Sequence, residues 1–129
     1  MALTFHSVQL VSFDMPATLA FYRRLGLDIP ASADSESHVE AVTTGGMKLL
    51  WDTVDIIKSF DPNADPSRGG TELAFGCDDP AEVDARYAEL TEAGYEGHLK
   101  PFDAVWGQRF AVVHDPDGNG ISLFSALES

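Results

Sequence analysis

The sequence predicts an α+β fold made of two small, similar halves, and three observations carry that prediction. A faint internal repeat pairs residues 14–26 (DMPATLAFYRRLG) with residues 78–94 (DDPAEVDARYAELTEAG). A strand-like alternation precedes each copy, TFHSVQLVS before the first and TELAFGC before the second. Further strand-like segments follow each copy, so each half reads β-α-β-β(-β). Halves of this size would struggle to bury a core alone, so they are expected to pack as one domain. Module 1 covers about residues 1–52, a linker 53–70, and module 2 about 71–129.

In the first strand, alternation puts His6, Val8 and Leu10 on one face and Phe5, Ser7, Gln9 and Val11 on the other. The face richer in large aliphatics should lie under the helix that follows. That helix opens at Asp14, whose carboxylate can accept from free N–H groups in the first turn, and Pro16 is tolerated early. Met15, Leu19, Phe21, Tyr22 and Leu25 give it an apolar stripe, and Gly26 supplies a left-handed end. The segments HVEAVTT and GMKLLWD, parted by Gly45-Gly46, read as the next strands. Residues 53–70 hold a short helical turn and then a Pro/Asp/Gly-rich stretch.

The second half repeats the plan. Leu73, Phe75 and Cys77 share one strand face, and Glu72, Ala74 and Gly76 the other. Asp78 and Pro80 open the second helix, Val83, Tyr87 and Leu90 form its stripe, and Gly94 ends it. Strands follow at about 95–100, 108–114 and 120–125, the last two joined by the turn DPDGNG.

Composition narrows the function classes. The chain has 129 residues, with 8 Lys+Arg against 21 Asp+Glu, a formal charge of −13. Such a field repels phosphate backbones, which argues against nucleic-acid partners and for neutral or cationic ones. Much of the acidity belongs to the second helix and its cap, through Asp78, Asp79, Glu82, Asp84, Glu89 and Glu92. No apolar run reaches the roughly 18 residues of a membrane span and no signal sequence opens the chain, so no membrane partner is expected. The single cysteine, Cys77, excludes an internal disulfide framework and fits a reduced, cytoplasmic protein. It lies on the apolar strand face, where a core thiol is the expected role. DPDGNG copies the start of a calcium loop, but the twelfth position would be Ala126, so it reads as a hairpin turn.

The stretches VSFDMPATLAFYRRLGL, TELAFGCDDPAEVDA and WGQRFAVVHDPDGNGISLF, in this order and spacing, resemble the vicinal oxygen chelate superfamily. That group includes glyoxalase I, extradiol dioxygenases, fosfomycin-resistance transferases and bleomycin-resistance proteins. The resemblance covers essentially the whole chain. It implies two βαβββ modules whose mixed sheets form a cup, helices outside, in a protein that commonly forms homodimers. It also implies four cleft positions where metal-using members carry His, Gln or Glu. Here those positions hold Ser7, Lys48, Glu72 and Ser122. Only Glu72 suits a divalent ion, because serine hydroxyls are poor ligands and an ammonium repels cations. No cofactor is therefore expected. Zn, Ni, Mn or Fe would need a different donor set, such as Glu72 and Glu40 with a histidine.

What remains is an apolar inventory with a few polar points, the usual make-up of a small-molecule site. Trp51, Trp106, Phe102 and Phe110 are candidate walls or rim. Phe124 and Leu50 share the cleft-side parity of Ser122 and Lys48, and Gln9, Ser7, Ser122, Lys48 and Glu72 could orient a ligand. Within the superfamily, WGQRFAVVHDPDGNG looks most like the bleomycin-resistance branch. That resemblance implies metal-free binding or sequestration of an antibiotic-like, aromatic or cationic compound. The alternative is a lyase- or isomerase-type or dioxygenase-type enzyme, using a degenerate metal site or Glu72 as general base.

Overall fold

In the computed structural model, which describes residues 2–127, the chain divides into two compact units, the first ending at Arg68 and the second starting at Gly69. In the first unit, β1 (Ser7–Ser12) leads into α1 (Met15–Arg24), followed by β2 (His38–Val42), β3 (Lys48–Thr53) and α2 (Val54–Phe60). The sheet order is β1-β3-β2, with β1 parallel and β2 antiparallel to β3. Among the described residues this unit carries three strands where the repeat unit βαβββ has four. Between α1 and β2 the chain makes a 3-10 turn (Ala31–Ser35) instead. Arg23 fixes that segment, donating to the Ile29 and Pro30 carbonyls and pairing with Asp34 at 2.9 Å.

The second unit has the complete βαβββ order: β4 (Glu72–Gly76), α3 (Pro80–Glu92), β5 (Gly97–Asp103), β6 (Gln108–His114) and β7 (Gly120–Ala126). Its sheet runs β4-β7-β6-β5, with β4 parallel to β7 and the other neighbours antiparallel. Helix α3 lies against β5, β6 and β7. The segment 53–70, read as a linker, contains α2 and falls almost wholly in the first unit. Thr53 caps α2, its hydroxyl accepting from the Ile56 N–H.

Cap chemistry explains where the two main helices begin. Asp14 accepts from the Ala17 N–H at 3.2 Å. In α3 the cap is Asp79, one residue later than the repeat suggests, because Pro80 takes the first helical position. Asp79 accepts from the Glu82 N–H at 2.8 Å, and Glu82 reaches back to the Asp78 N–H at 2.6 Å. Gly26 and Gly94 both adopt positive φ just past their helices, a conformation costly for residues with a Cβ.

Each unit has its own core. In the first, Leu10, Leu19, Phe21, Tyr22, Leu49 and Trp51 are buried, and the Tyr22 and Trp51 rings lie 4.9 Å apart. In the second, Val83 and Leu90 of α3 are buried, as are Ala111, Val113, Ile121 and Leu123 of the sheet. Period-2 alternation therefore sends every second residue of each strand to the opposite face. Cys77 is half-buried, and burial pushes its thiol pKa up, away from the thiolate form.

Candidate functional site

The chemistry-bearing residues lie on the sheet faces opposite these cores. In the second unit, strand register lines up aromatic side chains across the sheet. Phe102 of β5 sits opposite Phe110 of β6, and Phe110 sits opposite Phe124 of β7. Phe124 faces Gly76 of β4, where an added Cβ would stand 3.5 Å from its ring, so glycine leaves room for the phenyl group. Trp106, on the turn between β5 and β6, packs edge-on against Phe110 and Phe102 at 5.4 and 6.3 Å between centroids. Its Nε1–H donates to Gln108 Oε1 at 2.9 Å, which fixes the indole. Trp106 is 58% exposed and Phe102 37%, so the row is open to a ligand.

Along the strands from this row the floor becomes small and then charged. Ser122 pairs across β7 and β4 with Ala74, and Gly120 pairs with Glu72. The Glu72 side chain lies over Gly120, its Cγ 3.2 Å from where a Cβ would be. Four residues at about 3.3 Å each put Glu72 roughly 13 Å along the strand direction from the Phe124 row. The face thus offers an aromatic row, a low floor and an exposed carboxylate.

In the first unit, Ser7, Gln9, Lys48 and Leu50 share the face away from the core, with Ser7 opposite Lys48 and Gln9 opposite Leu50. Trp51 is a correction: it was a candidate wall, but it points the other way, is fully buried and packs on Tyr22. Adjacent strand residues cannot both line one face, so Leu50 and Trp51 were incompatible as cleft partners. The Trp51 Nε1–H has no hydrogen-bond partner among the described residues.

Sequence reasoning missed a polar group at one end of this face. Asp52 is 6% exposed and accepts at Oδ2 from Gln9 Nε2 and at Oδ1 from His38 Nδ1, the latter at 2.5 Å. The other ring nitrogen, His38 Nε2, meets Glu40 Oε2 at 3.0 Å. The hydrogen bonds from Glu40 and then Asp52 hold the His38 pKa above its ordinary value. The same bond from His38 holds the Glu40 carboxyl below its own. Parity could have revealed the group, since Asp52 falls in step with Lys48 and Leu50, and His38 with Glu40.

The DPDGNG turn and the histidine before it have structural partners. Asp115 is buried, and its carboxylate accepts from the Asp117 and Asn119 backbone and the Asn119 side chain, so it builds the turn. His114 bonds Glu96 at 2.9 Å and stacks on His98 at 4.8 Å.

Two units of the βαβ type, each with one mixed sheet and its polar or aromatic face opposite the core, define the paired-module class of fold. The chain belongs to the Glyoxalase/Bleomycin resistance protein/Dioxygenase superfamily, whose profile matches residues 4–123. Among solved structures it is similar to a glyoxalase/bleomycin resistance protein/dioxygenase from Nocardioides, at 24% identity over all of this chain and 87% of that one, TM-score 0.74. A glyoxalase-related enzyme from Fulvimarina pelagi is 22% identical over 96% of this chain and 88% of that one, TM-score 0.81. A protein from Agrobacterium tumefaciens is 26% identical over 98% of this chain and all of that one, TM-score 0.75. No curated protein matches.

The superfamily's metal chemistry can be tested against this donor set. Ser7 and Lys48 face each other in the first unit, and the second offers Glu72 and Ser122. A hydroxyl beside an ammonium does not bind a divalent cation, and a single carboxylate does not complete a site. Among the described residues no three His, Cys, Asp or Glu are grouped to hold a metal ion. The residues present do not fit the metal. Nor is any described helix long and apolar enough to cross a membrane.

Proposed function

We propose that this protein is a small-molecule binding protein of the bleomycin-resistance-like branch, holding a flat, aromatic, cationic compound of antibiotic type without a metal. The observation that carries this reading is the aromatic row Phe102–Phe110–Phe124, flanked by Trp106, on the open face of the second sheet. Exposed aromatic edges and faces bind planar rings and cations through stacking and quadrupole attraction. Trp106, pinned through Gln108, is ordered before the ligand arrives, which lowers the entropy cost of binding. Ala74, Gly120 and Ser122 keep the floor low enough for a fused-ring body, and Glu72 stands where a cationic group would end. The net charge of −13 attracts cations to the surface as a whole.

We further propose that the protein acts as a cytoplasmic homodimer, which light scattering on the purified chain would show as a doubled mass. A thermal-shift screen of aromatic and cationic antibiotics, run with metal analysis of the same sample, tests the function. Stabilisation by such a compound in metal-free protein supports the reading, because a ligand that binds only the folded state raises the melting temperature. Stoichiometric Zn, Ni, Mn or Fe would favour the enzyme alternative, as would turnover lost in Glu72→Gln.

A further inference from the structure

The Gln9–Asp52–His38–Glu40 group has no part in the binding reading. It lies on the sheet face away from the core, yet buries a carboxylate there. Desolvating Asp52 is costly unless its oxygens are well satisfied, and here both are. The result is a fixed imidazole: Nδ1 is turned inward to Asp52, and Nε2 outward to the half-exposed Glu40. A ring nitrogen oriented by a buried carboxylate, with its other nitrogen at the surface, is the arrangement that general acids and bases require.

We infer that His38, positioned by Asp52 and Gln9, is a proton-transfer site on the first unit's open face that serves small molecules bearing a phenolate-type oxygen. The step balances simply. The His38 Nε2–H bond breaks as the ligand's O–H bond forms, and the neutral imidazole keeps its Nδ1–H on Asp52. Solvent returns the proton through Glu40, whose carboxylate already touches Nε2. The charged groups acting on the centre are Asp52 and Glu40 directly, with Lys48 and His6 acting on Glu40. Hydrogen bonds to two carboxylates favour the imidazolium, the form that donates from both ring nitrogens. Glu40 is the competitor that an incoming oxyanion displaces, and a half-exposed pair of this kind is weak enough to yield.

The test uses 4-nitrophenol, whose yellow phenolate band reports both binding and proton position, with the whole protein near neutral pH. The wild type is expected to bind saturably and shift the phenol's apparent ionisation. His38→Gln should weaken binding more than roughly tenfold and remove the shift. Glu40→Gln should lower the His38 titration midpoint seen by NMR, because the Glu40 bond is the larger of the two that hold it up. Asp52→Asn should lower the His38 titration midpoint seen by NMR, a readout that does not depend on the probe. Trp106→Ala serves as the control for stacking on the second unit. Absence of saturable binding to the wild type, or equal binding by His38→Gln, would each overturn the inference. Loss in Trp106→Ala with His38→Gln intact would overturn it while leaving the binding reading standing.

Discussion

Replacing Asp52 with asparagine tests whether the first unit's polar group is held together as described. The substitution keeps the shape of the side chain and removes its charge. Two hydrogen bonds lose an ionised acceptor, and bonds to charged groups contribute about 1.5–3 kcal/mol each when well shielded. The His38 side chain is 45% exposed and Gln9 is exposed, so solvent screening reduces this towards the surface-pair range. A net loss of about 1–2 kcal/mol follows, or roughly 4–8 °C in melting temperature for a chain of this size. The loss should depend on pH in a defined direction. The folded pKa of His38 is raised, by Glu40 first and Asp52 second. Its stabilisation is therefore complete below the unfolded value near 6.5 and fades as pH rises through the folded value. Thermal unfolding of wild type and Asp52→Asn at pH 6 and pH 9 should show a larger gap at pH 6. A larger gap at pH 9, or none at either pH, would refute the argument.

Other substitutions probe the elements that place the site. Trp51→Ala should cost about 3–5 kcal/mol by opening a cavity against Tyr22, whereas Trp51→Phe, which also removes an unpaired donor, should cost under about 2 kcal/mol in urea unfolding. Asp79→Ala should destabilise by about 1 kcal/mol through loss of the α3 cap, and Asp78→Ala by clearly less, since only its backbone N–H is used. Gly120→Ala would press on the Glu72 side chain, so binding of a cationic ligand should weaken several-fold while the melting temperature stays within a few degrees.

Much of this architecture was legible in the sequence because its signals are local. Capping aspartates, early prolines and terminal glycines marked both helices, and period-2 alternation assigned Ser7, Gln9 and Glu72 to the faces away from the cores. The shift of the cap from Asp78 to Asp79 shows the limit of aligning repeats: Pro80 decides the first turn, and it follows Asp79 directly. The first unit's three strands are the three the residues marked; a fourth was expected only from the resemblance, and Arg23 instead holds the segment through the Ile29 and Pro30 carbonyls and Asp34. Trp51 was misplaced because a large aromatic suggests a binding wall, although its parity already put it with the core. His38 and Glu40 share a face of β2, but Asp52 joins them only through strand pairing, His38 opposite Asp52 across β2 and β3. Cross-strand register has no signature in a single sequence. The aromatic row depended on register in the same way: Phe102, Phe110 and Phe124 were each candidates, but their alignment across three strands emerges only from the pairing of β5, β6 and β7.

The most direct test of metal-independent binding on the aromatic face is calorimetric titration of chelator-treated protein with proflavine, a flat aromatic cation. The account predicts saturable binding that is unchanged by added zinc or manganese and weakened roughly tenfold in Trp106→Ala, as loss of one stacking and cation-attracting ring implies. Binding that appears only when metal is restored, or that is indifferent to Trp106, would contradict it.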